Sequence, residues 1–181
     1  MQQWQWQFKL WSEYVARSKR PILVGPWREE IGSEVLYWLP FLAQWCARYR
    51  IQPSRLVAIS RGGAAQWYGA GRAVELYDYW PAEAIRLESL KGSLAHGSVK
   101  PVEVSALERT LYPTLAARLG LRRYHVLHPS VLYQQIGRWM KDDMSISAVM
   151  DYLRFQPMPV PHVPLTVALP ERFACVRFYA R

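Results

Sequence analysis

The sequence predicts an α/β fold, a three-layer sandwich with a mainly parallel sheet, and three observations predict it. Short apolar runs alternate with longer segments of helical spacing along 181 residues. The runs are apolar at every position rather than on one face, as strands covered on both sides require. With 51% hydrophobic and 20% charged residues, the chain can bury a full core, which excludes disordered, collagen-like and coiled-coil classes.

Taken in order, Trp4, Phe8, Trp11 and Val15 recur at helical spacing and predict a first helix ending near Arg17, Lys19 and Arg20, where Pro21 stops it. Ile22 to Val24 read as a buried strand running into a sharp turn at Gly25-Pro26. Ile31, Val35, Trp38, Leu42, Trp45 and Tyr49 form a stripe for a helix of about five turns. Pro40 should kink it by crowding the carbonyl of Leu36. Leu56 to Ser60 predict a second strand, entering the glycine loop Arg61-Gly62-Gly63, and Ala73 to Tyr77 predict a third. Pro81 to Leu90 can be helical, and Gly92 to Lys100 read as a polar loop. Ser105 to Leu119 predict a helix with Pro113 inside and Gly120 at its end. Tyr124 to His128 read as a strand, Ser130 as the cap of a helix over Val131 to Lys141, and Ser145 to Arg154 as a last helix.

The expected domain organisation is a body over 1–155, a stiff linker over 156–170 with prolines at 157, 159, 161 and 164, and a strand within 171–181. That strand, at Phe173 to Tyr179, suggests a chain that stops just inside a second domain.

Charge narrows the ligand class. Lys plus Arg exceed Asp plus Glu by 23 to 14, a net +9, which favours anionic partners without choosing among them. Cys46 and Cys175 are too few for a disulfide framework or a four-ligand zinc site and read as free thiols in a reducing compartment. The start of the chain lacks a signal-peptide pattern, and the longest apolar stretch, Val35 to Ala47, is too short to span a bilayer. A cytoplasmic protein is expected.

In open parallel sheets ligands bind beyond the carboxyl ends of the strands, so the strand-to-helix turns carry the candidate site. In the first turn, Gly25 to Glu34, Gly32 allows close approach and free amides at the helix start can hold an anion. Glu34 can act as a general base or bind sugar hydroxyls there, and it can equally complement the helix dipole with no chemistry at all. In the second turn, Gly62 and Gly63 admit a ligand backbone, Arg61 offers a fork for phosphate or carboxylate, and Trp67 and Tyr68 offer aromatic faces that can also be core. His125 and His128 are three apart on a strand and point to opposite faces, so they do not share a metal simply. No metal site, phosphate-binding Gly-Lys-Ser/Thr loop or Gly-x-Ser-x-Gly elbow is present.

Gly25-Pro26-Trp27 with Glu30-Ile31-Gly32-Ser33-Glu34-Val35-Leu36-Tyr37-Trp38-Leu39-Pro40-Phe41-Leu42, then Ser60-Arg61-Gly62-Gly63 with Trp67-Tyr68, resemble the N-terminal half of bacterial glycosyltransferases of the two-Rossmann-domain (GT-B) type. Leu169-Pro170 to Phe178-Tyr179 are similar to the entry into the second domain of such enzymes. The likeness covers most of residues 21–80 plus the tail, and Ser33 departs from it where a larger residue is expected. The resemblance implies a Rossmann-like domain that holds a glycan or lipid-linked acceptor, while a C-terminal domain holds most of the nucleotide-sugar donor. It implies no cofactor beyond that co-substrate, no metal, and no turnover by this half alone. Glu34, with Glu30 as the second choice, would be the catalytic base; Gly25, Trp27, Gly32, Arg61, Gly62, Gly63 and Tyr68 would bind substrate.

The alternative is a basic nucleic-acid-binding module without catalysis, supported by the charge and the aromatic content. Scattered Lys and Arg and the lack of a recognised motif argue against nucleic acid. A peripheral contact at the inner face of the membrane is also compatible with an aromatic first helix followed by basic residues.

Overall fold

The computed structural model describes residues 3–96, 103–154 and 171–172. Helix α1 (Gln3–Ser18) precedes strand β1 (Ile22–Val24), and a helical rod follows, made of α2 (Ile31–Ser33), a π turn (Glu34–Trp38) and α3 (Leu39–Tyr49). Strand β2 (Leu56–Ser60), a 3-10 turn over Ala64–Tyr68 and strand β3 (Arg72–Glu75) come next. Then come α4 (Ala82–His96), α5 (Ala106–Arg118), β4 (His125–Leu127), α6 (Ser130–Trp139) and α7 (Ile146–Met150).

The four strands form one parallel sheet in the order β3-β2-β1-β4, with Leu23 opposite Val57 on one side and Val126 on the other. Alternate strand residues feed two cores. Ile22, Val24, Leu56, Ala58 and Leu127 pack with Phe8, Val15, Trp38, Phe41, Trp45, Leu132 and Val149 from the α1, α3, α6 and α7 side. Leu23, Val57, Ile59 and Val74 pack with Ile85, Leu111 and Leu115 from α4 and α5. The result is the predicted three-layer, Rossmann-like α/β sandwich, and the uninterrupted apolarity of the strands follows from burial on both faces.

Helix α1 is fixed by polar bonds as well as packing. Trp45 donates its indole N–H to Ser12 Oγ at 2.9 Å. The Arg55 guanidinium donates to the carbonyls of Val15 and Ala16 in the last turn of α1 and to that of Arg20 just beyond it. Burial pushes the Cys46 thiol up to about 12, against the pull of Arg55.

Several elements differ from expectation, each for a physical reason. Pro40 disturbs the rod one turn earlier than a simple kink, as a π turn in which Leu39 N–H reaches the carbonyl of Glu34. The residue this inserts turns everything before it by about 100°. Ile31, expected on the apolar stripe, is exposed, and Glu34 is buried instead. Strand β3 ends at Glu75, where Leu76–Asp78 coil into a 3-10 turn. Helix α4 continues through Gly92 to His96, where a loop was expected. Ser130 opens α6 without a side-chain cap, whereas Ser145 does cap α7, accepting from the Ala148 amide. The predicted linker and the strand at 173–179 lie outside the described residues; Glu171 and Arg172 form a bend.

Candidate functional site

The turns after β1, β2 and β4 meet at the carboxyl ends of neighbouring strands. Gly25 fixes the first. Its φ is +101°, and a Cβ there would lie 2.8 Å from the Ile59 carbonyl oxygen, so only glycine fits between β1 and β2. Its N–H donates to the Leu127 carbonyl at 3.0 Å, and its own carbonyl accepts from the Tyr112 hydroxyl at 2.9 Å.

Trp27 and Glu30 set the rise into the helical rod. Trp27 is 1% exposed, stacked between Trp38 and Tyr133, and its indole N–H donates to the Glu30 carbonyl at 3.1 Å. The same carbonyl accepts from the Glu34 amide at 3.2 Å. The Glu30 side chain is exposed, and Gly32 sits in open space.

Glu34 is the chemically distinctive group here. At 1% exposure it accepts a hydrogen bond from the Tyr68 hydroxyl through Oε1, and its Oε2 is buried with no partner. Burial raises the affinity of the carboxyl for a proton, and the Tyr68 hydrogen bond and the Arg61 guanidinium only partly oppose this. Burial and the neighbouring Glu34 push the Tyr68 phenol well above its usual value, so Tyr68 remains the donor in the pair. Arg61, in the turn after β2, thus lies near enough to Glu34, in the helical rod after β1, for its charge to favour the carboxylate. A carboxyl of heightened proton affinity near a cation can take a proton from a hydroxyl while the cation holds a charged group.

The glycine loop is arranged differently from the sequence-based expectation of ligand-binding amides. Gly62 and Gly63 have φ of +61° and +80°, and their N–H groups donate to the two Glu75 oxygens at 3.0 and 3.2 Å. Arg61 is half-buried beside them.

A second cluster, under the turns after β1 and β4, escaped the sequence reading. Arg28 Nε donates to Glu108 Oε1 at 2.7 Å, and His128 Nε2 lies 3.2 Å from the same oxygen without aligned hydrogen-bond geometry. His128 Nδ1 accepts from the Ser130 amide at 3.1 Å, which leaves Nε2 to carry the proton toward Glu108. Glu108 Oε2 accepts from the Ser105 amide at 2.7 Å as half of a capping box. Burial alone would raise the Glu108 carboxyl, yet His128, Arg28 and the Ser105 amide together bring it down to about 2. The Ser-x-x-Glu spacing at 105–108 was the available signal, and it marks only the cap.

A groove of about 560 Å³ adjoins this second cluster, lined by Tyr112, Val126, His128 and Ser130 with Phe8 and Trp11 of α1. Another hollow of about 430 Å³ lies between α1, α3, α6 and α7. Among the described residues no group of three or more His, Cys, Asp or Glu is placed to hold a metal ion, and no helix is long and apolar enough to cross a membrane. Comparison with protein-family models, curated proteins and solved structures finds no match.

Proposed function

We propose that this chain is the acceptor-side domain of a glycosyltransferase of the two-Rossmann-domain type. In this reading a second domain holds the nucleotide sugar, and the acceptor hydroxyl is presented at the rim formed by the turns after β1 and β2. The acceptor oxygen bonds to the anomeric carbon, the bond from that carbon to the diphosphate breaks, and the diphosphate leaves with the electron pair. The hydroxyl proton passes to Glu34, whose Oε2 has no other partner. Arg61 binds a phosphate or an acidic sugar, while Trp27 and Glu30 position Glu34 through their mutual hydrogen bond.

The observation that carries the reading is a buried carboxyl at the carboxyl end of the parallel sheet, with Oε1 held by Tyr68 and Oε2 unpartnered, near enough to Arg61 to feel its charge. The resemblance of residues 25–42 and 60–68 to such transferases supports it from the sequence side, and the parallel α/β fold is compatible with it.

The test is a titration of the isotope-labelled chain with glucose 1-phosphate and, separately, with glucose. Glucose 1-phosphate should shift the amides of residues 30–34 and 61–64, and Arg61→Ala should weaken its binding roughly tenfold, as expected for a charge-assisted hydrogen bond. Binding of glucose should be insensitive to Arg61→Ala. Shifts confined to other surfaces, or equal affinity in Arg61→Ala, would overturn the assignment.

A further inference from the structure

Helix α1 is apolar on two opposite faces. Phe8, Ser12 and Val15 face the core, while Trp6, Leu10 and Tyr14, spaced by four, are 55%, 42% and 53% exposed on the far side. A surface helix ordinarily turns polar residues outward, so an outward stripe of Trp, Leu and Tyr calls for a partner.

The charges around the stripe identify its chemistry. Lys9 borders the stripe on one side and Arg17 continues it at its C-terminal end, their side chains 53% and 82% exposed. Lys19 and Arg20 follow where the helix ends, at the close of a chain segment in which Glu13 is the only acid. Glu13 lies 3.9 Å from Lys9 and 4.0 Å from Arg17, distances at which exposed pairs contribute little. Tyr14 is held edge-on to His125 at 5.4 Å, and Arg55 ties the helix end to the body, so the stripe is presented on a rigid element.

We propose that α1 is a peripheral membrane-binding helix that seats Trp6, Leu10 and Tyr14 at the headgroup boundary of an anionic lipid bilayer. Trp and Tyr favour that boundary because each has an apolar ring and a polar tip, and Leu10 between them enters the acyl region. Lys9, Arg17, Lys19 and Arg20 meet the negative headgroups, and the net charge of +9 adds long-range attraction. An uninterrupted Trp-Leu-Tyr stripe suits an apolar boundary better than a single strand of nucleic acid, where the central leucine would have no base to stack on. The inference stands on α1 alone and is independent of the glycosyltransferase reading.

The experiment is flotation of the full chain with vesicles of phosphatidylcholine alone and with vesicles that also contain phosphatidylglycerol. Binding should be strong only to the anionic vesicles and should weaken as salt is raised. Trp6→Ser combined with Leu10→Ser should lower partitioning by about tenfold or more, because both apolar side chains lose their burial. Arg17→Glu with Lys19→Glu should lower it by roughly tenfold through charge. All four substitutions are on exposed positions, and an unchanged circular dichroism spectrum confirms that the variants fold. Equal binding to both vesicles, or no effect of the Trp6 and Leu10 changes, overturns the proposal. So does a concentration-dependent dimer that the Trp6 and Leu10 changes abolish, which gives the face to a second copy. Retention on single-stranded RNA that the same changes abolish would assign it to nucleic acid instead.

Discussion

Gly25 shows how much a single position can hold together. Any other residue would have to adopt its φ of +101° and fit a Cβ 2.8 Å from the Ile59 carbonyl. Gly25→Ala is therefore expected to cost about 3 kcal/mol, combining a left-handed backbone with a clash against main chain, and denaturant unfolding measures it. The glycine was legible in the sequence because it ends an apolar run just before a proline. The sequence also marks Glu34 and Arg61 as candidates, one near the start of the helical rod after β1 and one in the turn after β2, but it does not announce that Glu34 is buried. Glu108 and His128 were not legible. Glu108 lies 80 residues from Arg28, on a separate element, and no local spacing announces that the topology will stack it under the turns after β1 and β4.

At the level of elements, apolar periodicity located strands well because a strand buried on both faces leaves a continuous run that few other structures produce. It located the face of the helical rod less well. The stripe from Ile31 to Tyr49 assumes an unbroken 3.6-residue repeat, and the π turn over Glu34–Trp38 adds a residue that the pattern does not contain. That added residue places Glu34 inside. Helix α5 depends on its first turn in a different way. Ser105 accepts from the Glu108 amide at 3.2 Å while the Glu108 side chain accepts from the Ser105 amide at 2.7 Å. Ser105→Ala removes the first bond and keeps the second, and should destabilise the protein by about 1 kcal/mol. Glu108→Gln keeps the cap geometry but leaves the buried Arg28 without its counter-charge, at a cost of about 3–5 kcal/mol. Thermal unfolding of the two variants checks the order; a larger loss for Ser105→Ala would mean that the cap, rather than the ion pair, holds α5 to the turn after β1.

For the molecule as a whole, two buried carboxyls make stability respond to pH in opposite senses. Glu108 is held down to about 2, below its value in the unfolded chain. It contributes stability that is fully present above about 4.5 and is lost as pH falls through 2; a depression from 4.5 to about 2 corresponds to about 3 kcal/mol. Glu34 is raised, so the folded state keeps its proton more tightly than the unfolded chain. Its contribution is fully present below the ordinary carboxylate value and is lost as pH rises from there through the raised value. The stability profile should therefore climb on leaving strong acid and then lose part of that gain above about 4.5. Glu34→Gln has the same shape and can still accept from Tyr68, so it should raise stability at neutral pH and remove the second limb. Glu108→Gln should remove the first limb and lower stability at neutral pH. Urea unfolding of the three proteins across pH 3–8 separates the two groups. If Glu34→Gln leaves the upper limb in place, the carboxyl is not the group whose proton the fold retains, and the case for it as a base loses its physical ground. A stability gain in that variant together with weaker ligand binding would instead match a functional group kept at the expense of the fold.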